Sequence, residues 1–202
     1  MNASDALARL QKLGVPALRT ADAAAALKQS PFAASQTMLR LADAGLVRSI
    51  RHGLYWVERD LDPLRLPEYL TAPLPSYVSL QTALHAHGMI EQIPEVTYAV
   101  TLARTSRVET RAGTISLHHV APEVFGGFDE KKSGVKLATA EKALFDFAYL
   151  SGGRTRLFTS LPELELPARF RRSELARWIS KIRSARSRTL TSARLDRLLK
   201  GR

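Results

Sequence analysis

The sequence predicts an α+β protein, and three observations along the chain support this. Short helical patterns with capping residues come first and lead into two β-type runs joined by a glycine turn. Strand patterns that alternate apolar and polar residues then flank two further helices. A strongly basic C-terminal segment, again with helical spacing, ends the chain. The predicted regions are residues 1–60, a Pro-rich linker at 61–76, and residues 77–202 with a basic tail at 168–202.

Three helices are predicted in the first region. The first two cover Asp5–Leu13 and Ala21–Leu27. The third starts at Pro31, because the first turn of a helix does not need the N–H that proline lacks, and it ends near Ala44. Its predicted inward residues are Phe32, Ala34, Met38 and Leu41. Its predicted outward residues are Ser35, Gln36, Leu39 and Arg40.

A β-hairpin is predicted directly after these helices. Its strands are Leu46–Ile50 and Leu54–Val57, and its turn is Arg51-His52-Gly53, in which glycine suits the left-handed position of a three-residue loop. Three helices and a hairpin follow the order of a winged helix-turn-helix, which places its third helix in the major groove and its hairpin along the DNA backbone. Winged helices also serve as protein–protein modules. The predicted DNA-binding residues are Ser35, Gln36, Arg40, Arg48, Arg51 and His52.

The second half of the chain predicts a separate, small α+β domain. Its helices are Leu80–His87 and Ala140–Leu150, and the preceding linker contains one short helix, Pro67–Leu70. Strands are predicted at Glu95–Leu102 and Gly113–Val120. A further short strand is predicted around Val135–Leu137.

Charge is concentrated at the C-terminus. The net charge is +11, of which residues 168–202 carry +10 with 12 basic and 2 acidic side chains. A basic block of this kind is typical of a nucleic-acid contact, although a solvated, partly disordered tail has the same composition. Apolar spacing predicts helices at Glu174–Ser184 and Ser192–Leu199, with one face docked on the preceding domain. The predicted basic surface consists of Arg172, Arg177, Lys181, Arg183, Arg186 and Arg188.

Several function classes lack their sequence signals. The chain has no cysteine, which excludes disulfides, thiolate metal sites and cysteine nucleophiles. It also has neither of the common phosphate-binding glycine motifs. No signal peptide and no apolar run of about 20 residues is visible, so we expect a cytoplasmic protein without membrane contact.

Catalytic and metal-binding patterns are also weak. His85 with His87 and His118 with His119 lack an acidic ligand at a metal-binding spacing. Glu130 and Lys132 resemble part of a nuclease motif without its acidic partner. We therefore expect no metal, no cofactor and no enzymatic activity. A nuclease directed to DNA by the winged helix is the alternative.

The ordered motifs resemble those of the AbiEi antitoxins of type IV toxin–antitoxin systems over about residues 5–155. No single motif is specific, and their order carries the resemblance. The motifs are Arg51–Tyr55, Tyr77–Leu80, Ala83–Leu84, His87–Gly88, Tyr98–Thr101 and Leu137–Leu144 with Asp146.

The resemblance implies a non-enzymatic antitoxin of an abortive-infection, phage-defence system. Such a protein represses its own operon by binding inverted repeats in double-stranded DNA. Its C-terminal domain opposes an AbiEii-like nucleotidyltransferase toxin, and a stable complex between the two is not required. The helices at 80–87 and 140–150 would then be scaffold. The compact middle domain and the basic tail depart from the family pattern.

Overall fold

The computed structural model describes residues 2–151 and 164–200, and it is a mixed α+β structure with two sheets. Parts of the predicted third region, 152–163 and 201–202, lie outside the described residues. The chain divides into two compact units. One comprises the residues up to Pro63 together with Glu109–Gly113, and the other comprises the remainder. No helix in the described ranges is long and apolar enough to cross a membrane.

The first unit has three helices and a three-stranded sheet. In chain order its elements are α1 (Ala3–Gln11), β1 (Ala17–Arg19), α2 (Thr20–Leu27), α3 (Pro31–Asp43), β2 (Arg48–Arg51) and β3 (Leu54–Trp56). The strand order is β1-β3-β2, and both pairs are antiparallel. Leu10, Leu18, Met38, Leu41 and Tyr55 are among the side chains of its core. The strand β1 was not predicted from the sequence.

Within the described residues, the second unit contains five helices and a six-stranded sheet, apart from the strand residues that fall in Glu109–Gly113. Its first elements are α4 (Leu66–Thr71), β4 (Ser76–Val78), α5 (Leu80–Ala86), β5 (Thr97–Thr101), β6 (Ser106–Thr110) and β7 (Gly113–His119). They are followed by β8 (Phe128–Glu130), β9 (Lys136–Ala138), α6 (Ala140–Leu150), α7 (Arg172–Ser180) and α8 (Ala185–Lys200). Single 3-10 turns lie at Pro63–Arg65 and Pro122–Val124.

The strand order in this sheet is β6-β7-β5-β4-β9-β8, and β5 and β4 are its two central strands. Strand β4 pairs with β5 in the antiparallel sense and with β9 in the parallel sense. The segment predicted as a linker is therefore more ordered than expected. It contains the whole of α4, whose Leu66 and Leu70 are buried, and the first residue of the central strand β4, Ser76.

The basic tail contributes to the core of the second unit. The apolar stripe predicted for the first tail helix consists of Leu175, Trp178, Ile179 and Ile182. Three of these residues are buried together with Leu195 of α8, and Ile179 is partly buried against them. They join apolar side chains of α5, α6 and the sheet in one cluster. The tail thus forms two helices with one face packed on this core, although α7 begins before the predicted Glu174 and α8 before the predicted Ser192.

Candidate nucleic-acid interface

Helix α3 presents a mixed polar and apolar face to solvent. The helix begins at Pro31 because the Ser30 side chain caps it, accepting a hydrogen bond from the Ala33 N–H at 3.2 Å. Gln36 and Arg40 are exposed as predicted, and Ser35 is half-buried. Leu39 is also exposed.

The predicted burial of Phe32 is wrong, because its side chain is 76 % exposed. A helix turns by about 100° per residue, so Phe32 lies within about 20° of Leu39 around the helix axis. Met38 and Leu41, which are buried, lie on the opposite side. The apolar character of Phe32 favours the core, whereas its angular position on the helix places it in solvent.

A short chain of hydrogen bonds orients Arg40. Its guanidinium donates to Thr37 Oγ1 at 3.3 Å, and the Thr37 hydroxyl donates to Gln29 Oε1 at 3.1 Å. A guanidinium has five N–H donors, so this contact leaves donors for a ligand. Arg40 is therefore held through one terminal guanidinium nitrogen, while its remaining N–H groups keep the capacity for a two-bond contact.

The hairpin between β2 and β3 ends in a basic tip. Arg51 and His52 are exposed, and Gly53 adopts φ of +73°, a left-handed conformation that favours glycine. The register shifts between Ser49 and Arg51, which gives the strand pair a bulge. The Gly53 carbonyl accepts a hydrogen bond from the Thr20 N–H at 3.1 Å, which attaches the turn to the start of α2.

Arg48 is the sixth predicted DNA-binding residue. Its side chain is exposed on β2, and its guanidinium donates to the Arg59 carbonyl at 3.2 Å. The six predicted residues thus lie on one helix and one hairpin of the first unit. Five of them are exposed and one is half-buried.

The predicted basic surface of the tail is exposed, but much of it already has partners. Arg177 lies 3.7 Å from Glu174, and Arg183 lies 3.5 Å from Glu123. Arg188 donates two hydrogen bonds to the Ile182 carbonyl. Lys181 lies over the Trp178 ring, with its Nζ 3.8 Å from the ring centroid. Arg172 and Arg186 complete the exposed set.

A buried polar cluster in the second unit was missed by the sequence analysis. Asp146 accepts hydrogen bonds from the Tyr77 hydroxyl at 3.0 Å and from the Ser79 hydroxyl at 2.7 Å. Its other carboxylate oxygen pairs with Lys142 Nζ one turn earlier on α6. Neither Lys142 nor Asp146 has any exposed surface.

The signal for this pair was present in the sequence. Lys142 and Asp146 have the i,i+4 spacing that brings opposite charges together on a helix. Glu141, at the start of the same helix, has a different role, because its Oε1 accepts a hydrogen bond from the Arg171 N–H at 2.8 Å. Tyr77 and Ser79 are more than 60 positions away from Asp146, and only the sheet brings them to it.

Burial dominates the electrostatics of this cluster. It lowers the pKa of Lys142 and raises the pKa of Asp146, and the attraction between the two charges opposes both shifts. Burial and the adjacent Asp146 raise the pKa of Tyr77 well above its usual range. The Lys142 ammonium also lies 4.6 Å from the Trp178 ring centroid. Because these groups are enclosed, the cluster joins α6, β4 and α7 in the core and presents no surface to a ligand.

The histidines noted in the sequence lie in separate local contacts. His87 Nε2 is 2.7 Å from the Ala138 carbonyl, and His119 Nδ1 is 3.1 Å from the Ala103 carbonyl. His118 is buried, with its Nε2 2.9 Å from the Ser116 hydroxyl. Across residues 2–151 and 164–200, no three His, Cys, Asp or Glu side chains are grouped to hold a metal ion. Glu130 and Lys132 are exposed at the end of β8 and in the turn after it.

Comparison with known proteins gives no assignment. No protein-family model matches the chain, and no curated protein matches it.

Proposed function

We propose that the protein is a double-stranded DNA-binding transcriptional regulator whose first unit is a winged helix-turn-helix. In this proposal α3 enters the major groove, and the β2–β3 hairpin contacts the flanking backbone. The element order of the first unit and its β1-β3-β2 sheet support this arrangement. The observation that carries the proposal is the exposure of Gln36 and Arg40 on α3 in the same unit as a hairpin tip formed by Arg51 and His52.

These side chains match the two kinds of contact that a DNA-binding protein needs. Gln36 can form two hydrogen bonds with adenine and Arg40 two with guanine in the major groove, so both can carry sequence preference. Arg51 and His52 are placed to neutralise or bond phosphate, which provides affinity without sequence preference. The net charge of +11 favours approach to a polyanion.

We further propose autorepression and antitoxin action, which rest on the resemblance to AbiEi antitoxins. The regulator would bind inverted repeats in its own promoter and counteract an AbiEii-like nucleotidyltransferase toxin through the second unit. We expect this action to be non-enzymatic. Lys142 and Asp146 are enclosed in the core, which supports a structural role for the 140–150 helix.

Binding to the DNA upstream of its own gene tests the first proposal. Fluorescence anisotropy with the full chain should show a higher affinity for this duplex than for a scrambled duplex of equal length and composition. The variant Gln36→Ala with Arg40→Ala should bind both duplexes about equally. Equal binding of both duplexes by the unaltered protein would contradict sequence-specific regulation.

Co-expression tests the antitoxin proposal separately. A cell that carries an AbiEii-like toxin from the same operon should grow only when the protein is present. Rescue should persist in the Gln36→Ala, Arg40→Ala variant when both genes are under an external promoter, because DNA binding is then not needed.

Incubation of the protein with DNA and Mg²⁺ or Mn²⁺ tests the nuclease alternative. Cleavage that is lost in Glu130→Gln with Lys132→Gln would favour it.

A further inference from the structure

Phe32 is the most exposed large apolar side chain in the described part of the protein. Its exposed fraction is 76 %, and Leu39, two turns later on the same face of α3, is 44 % exposed. Scattered single apolar residues are normal at a protein surface. Here two of them share one helix face with Gln36 and Arg40, which are the residues proposed to contact bases. A ligand that binds this face must therefore contact both apolar and hydrogen-bonding side chains.

The geometry of α3 places these groups in one strip. At about 100° per residue, Gln36 lies about 40° and Arg40 about 80° around the axis from Phe32. At a rise of about 1.5 Å per residue, Phe32 and Leu39 are about 10.5 Å apart along the axis. That distance corresponds to about three base-pair steps of 3.4 Å.

The chemistry of this strip favours the major groove over an apolar protein surface. An apolar partner would bury the Gln36 amide and the Arg40 guanidinium without hydrogen-bond partners, which is costly. The major groove presents hydrogen-bonding base edges and, at each thymine, an apolar C5-methyl group. Phe32 also lies in the first turn of α3, and the first residues of a recognition helix are those that reach base edges.

We propose that Phe32 is a specificity-determining residue that packs against the C5-methyl group of a thymine in the bound DNA. This inference rests on the proposed function and deepens it, because it assigns a base preference to one side chain. Leu39 lies on the same face, where it extends the apolar part of the strip. The expected target therefore contains a thymine within about three base pairs of the positions contacted by Gln36 and Arg40.

Deoxyuridine isolates this contact. It differs from thymidine only by the absence of the C5-methyl group and keeps the same hydrogen-bonding edge. Loss of one buried methyl group should lower affinity by about fourfold. Replacement of the thymine by a different base would also change the hydrogen-bonding groups in the groove, so it would not isolate the methyl contact.

The probe is a duplex of about 30 base pairs selected from a random library with the full chain. Each thymine is then replaced singly by deoxyuridine, and affinity is measured by anisotropy at one salt concentration. We expect one or two positions at which the unaltered protein loses about fourfold in affinity. Phe32→Ala should bind the thymine duplex more weakly and should be insensitive to deoxyuridine at the same position. Gln36→Ala should keep the sensitivity to deoxyuridine.

Ile93→Ala is the matched control, because Ile93 is 74 % exposed and lies outside α3. It should bind every duplex like the unaltered protein. If a sequence is selected but no thymine is sensitive, or if Phe32→Ala keeps the full sensitivity, the inference is overturned while the proposed function stands. If no sequence is selected, both proposals fail.

Discussion

Single residues of the proposed interface should separate affinity from sequence preference. Arg51→Ala is expected to weaken binding to all duplexes alike and to make the salt dependence shallower by about one unit, because one phosphate contact is lost. Gln36→Ala or Arg40→Ala should instead relax preference at individual base pairs, at a cost of about 1–3 kcal/mol. Salt titrations on the selected duplex and its single-base variants measure both effects.

Arg9 provides the matched control for Arg51, since it is an exposed arginine of the same unit on α1. Arg9→Ala should leave both affinity and salt slope unchanged. A change in sequence preference in Arg51→Ala, with neutral Gln36 and Arg40 variants, would contradict the proposed arrangement of α3 and the hairpin.

The buried pair in the second unit is expected to be sensitive to the loss of one partner. Lys142→Met removes the cation and leaves Asp146 buried without its ion-pair partner, which should cost about 3–5 kcal/mol of unfolding free energy. In the folded protein, burial raises the pKa of Asp146 and the charge of Lys142 opposes this shift. Loss of Lys142 therefore raises the pKa of Asp146 further above its value in the unfolded chain. A folded-state pKa above the unfolded value gives stability that is lost as pH rises.

The destabilisation by Lys142→Met should therefore be larger at pH 8 than at pH 5. Urea unfolding at the two pH values measures it. Lys131→Met, at an exposed position, serves as control and should have little effect at either pH. A loss that is equal at both pH values would show that Asp146 of the variant does not titrate between pH 5 and pH 8.

His118 should make the protein less stable in mild acid. Burial lowers its pKa from its ordinary value of about 6.5, so the unfolded chain binds a proton more readily than the folded protein does. Its contribution to stability is thus present above about pH 6.5 and is lost as pH falls below that value. The fall in unfolding free energy between pH 7.5 and pH 5.5 should be smaller in His118→Gln. The neighbouring His119→Gln, at an exposed position, should keep the full fall.

At the scale of elements, helices with strong local signals were predictable. The helix α6 occupies Ala140–Leu150 as predicted, because Thr139 caps it by accepting the Lys142 N–H and a continuous apolar face follows. In α3, the cap at Ser30 and the outward Gln36 and Arg40 also follow from local spacing. The error at Phe32 came from weighting its apolar side chain above its angular position.

The short strand β4 was not predictable, and the reason is physical. The strand β4 has three residues, too few for an alternating pattern, and all three are buried. Its hydrogen bonds go to β5 and β9, so its conformation depends on residues far along the chain. The same applies to the Tyr77 and Ser79 contacts with Asp146. A sequence read locally contains no signal for contacts that only the sheet creates.

Trp178 packs the tail helix α7 against the core of the second unit. Its ring packs at 6.0 Å from Phe145 and over the Lys142 ammonium, and it is 8 % exposed. Trp178→Ala should cost about 3–5 kcal/mol of unfolding free energy, because a large buried side chain is lost. Thermal and urea unfolding measure this cost. Lys181→Met, which removes only the exposed cation over the same ring, should cost far less.

Gly127 offers a second probe of the same contact. A Cβ at this position would lie 2.5 Å from the Trp178 ring, and φ is +74°. Gly127→Ala should therefore destabilise the protein, and less so in the Trp178→Ala background, where part of the clash is relieved. Additive costs in the double variant would contradict direct packing between the two positions.

At the scale of the whole molecule, charge and packing are combined in the same tail. Residues 168–202 carry +10, yet Leu175, Trp178, Ile182 and Leu195 of this segment belong to the core of the second unit. Deleting the segment would remove these core side chains along with the charge. A deletion therefore does not separate a nucleic-acid contact from folding, and exposed charges must be changed individually.

Neutralising three exposed tail residues tests whether the tail contacts DNA. The triple variant Arg172→Gln, Arg177→Gln, Lys181→Gln should keep the unfolding temperature within a few degrees, because all three side chains are exposed and the ion pair of Arg177 with Glu174 lies at the surface. If each residue neutralises a phosphate, the slope of log affinity against log salt should become shallower by about 0.9 per contact.

The matched variant Arg107→Gln, Lys131→Gln, Lys132→Gln removes the same net charge from other exposed positions of the second unit. Its salt slope should stay unchanged, because a residue that contacts no phosphate releases no counterion. Equal slopes in both triple variants and the unaltered protein would limit the DNA contact to the first unit. In that case, a loss of toxin rescue in the tail variant alone would assign the tail's charge to antitoxin action.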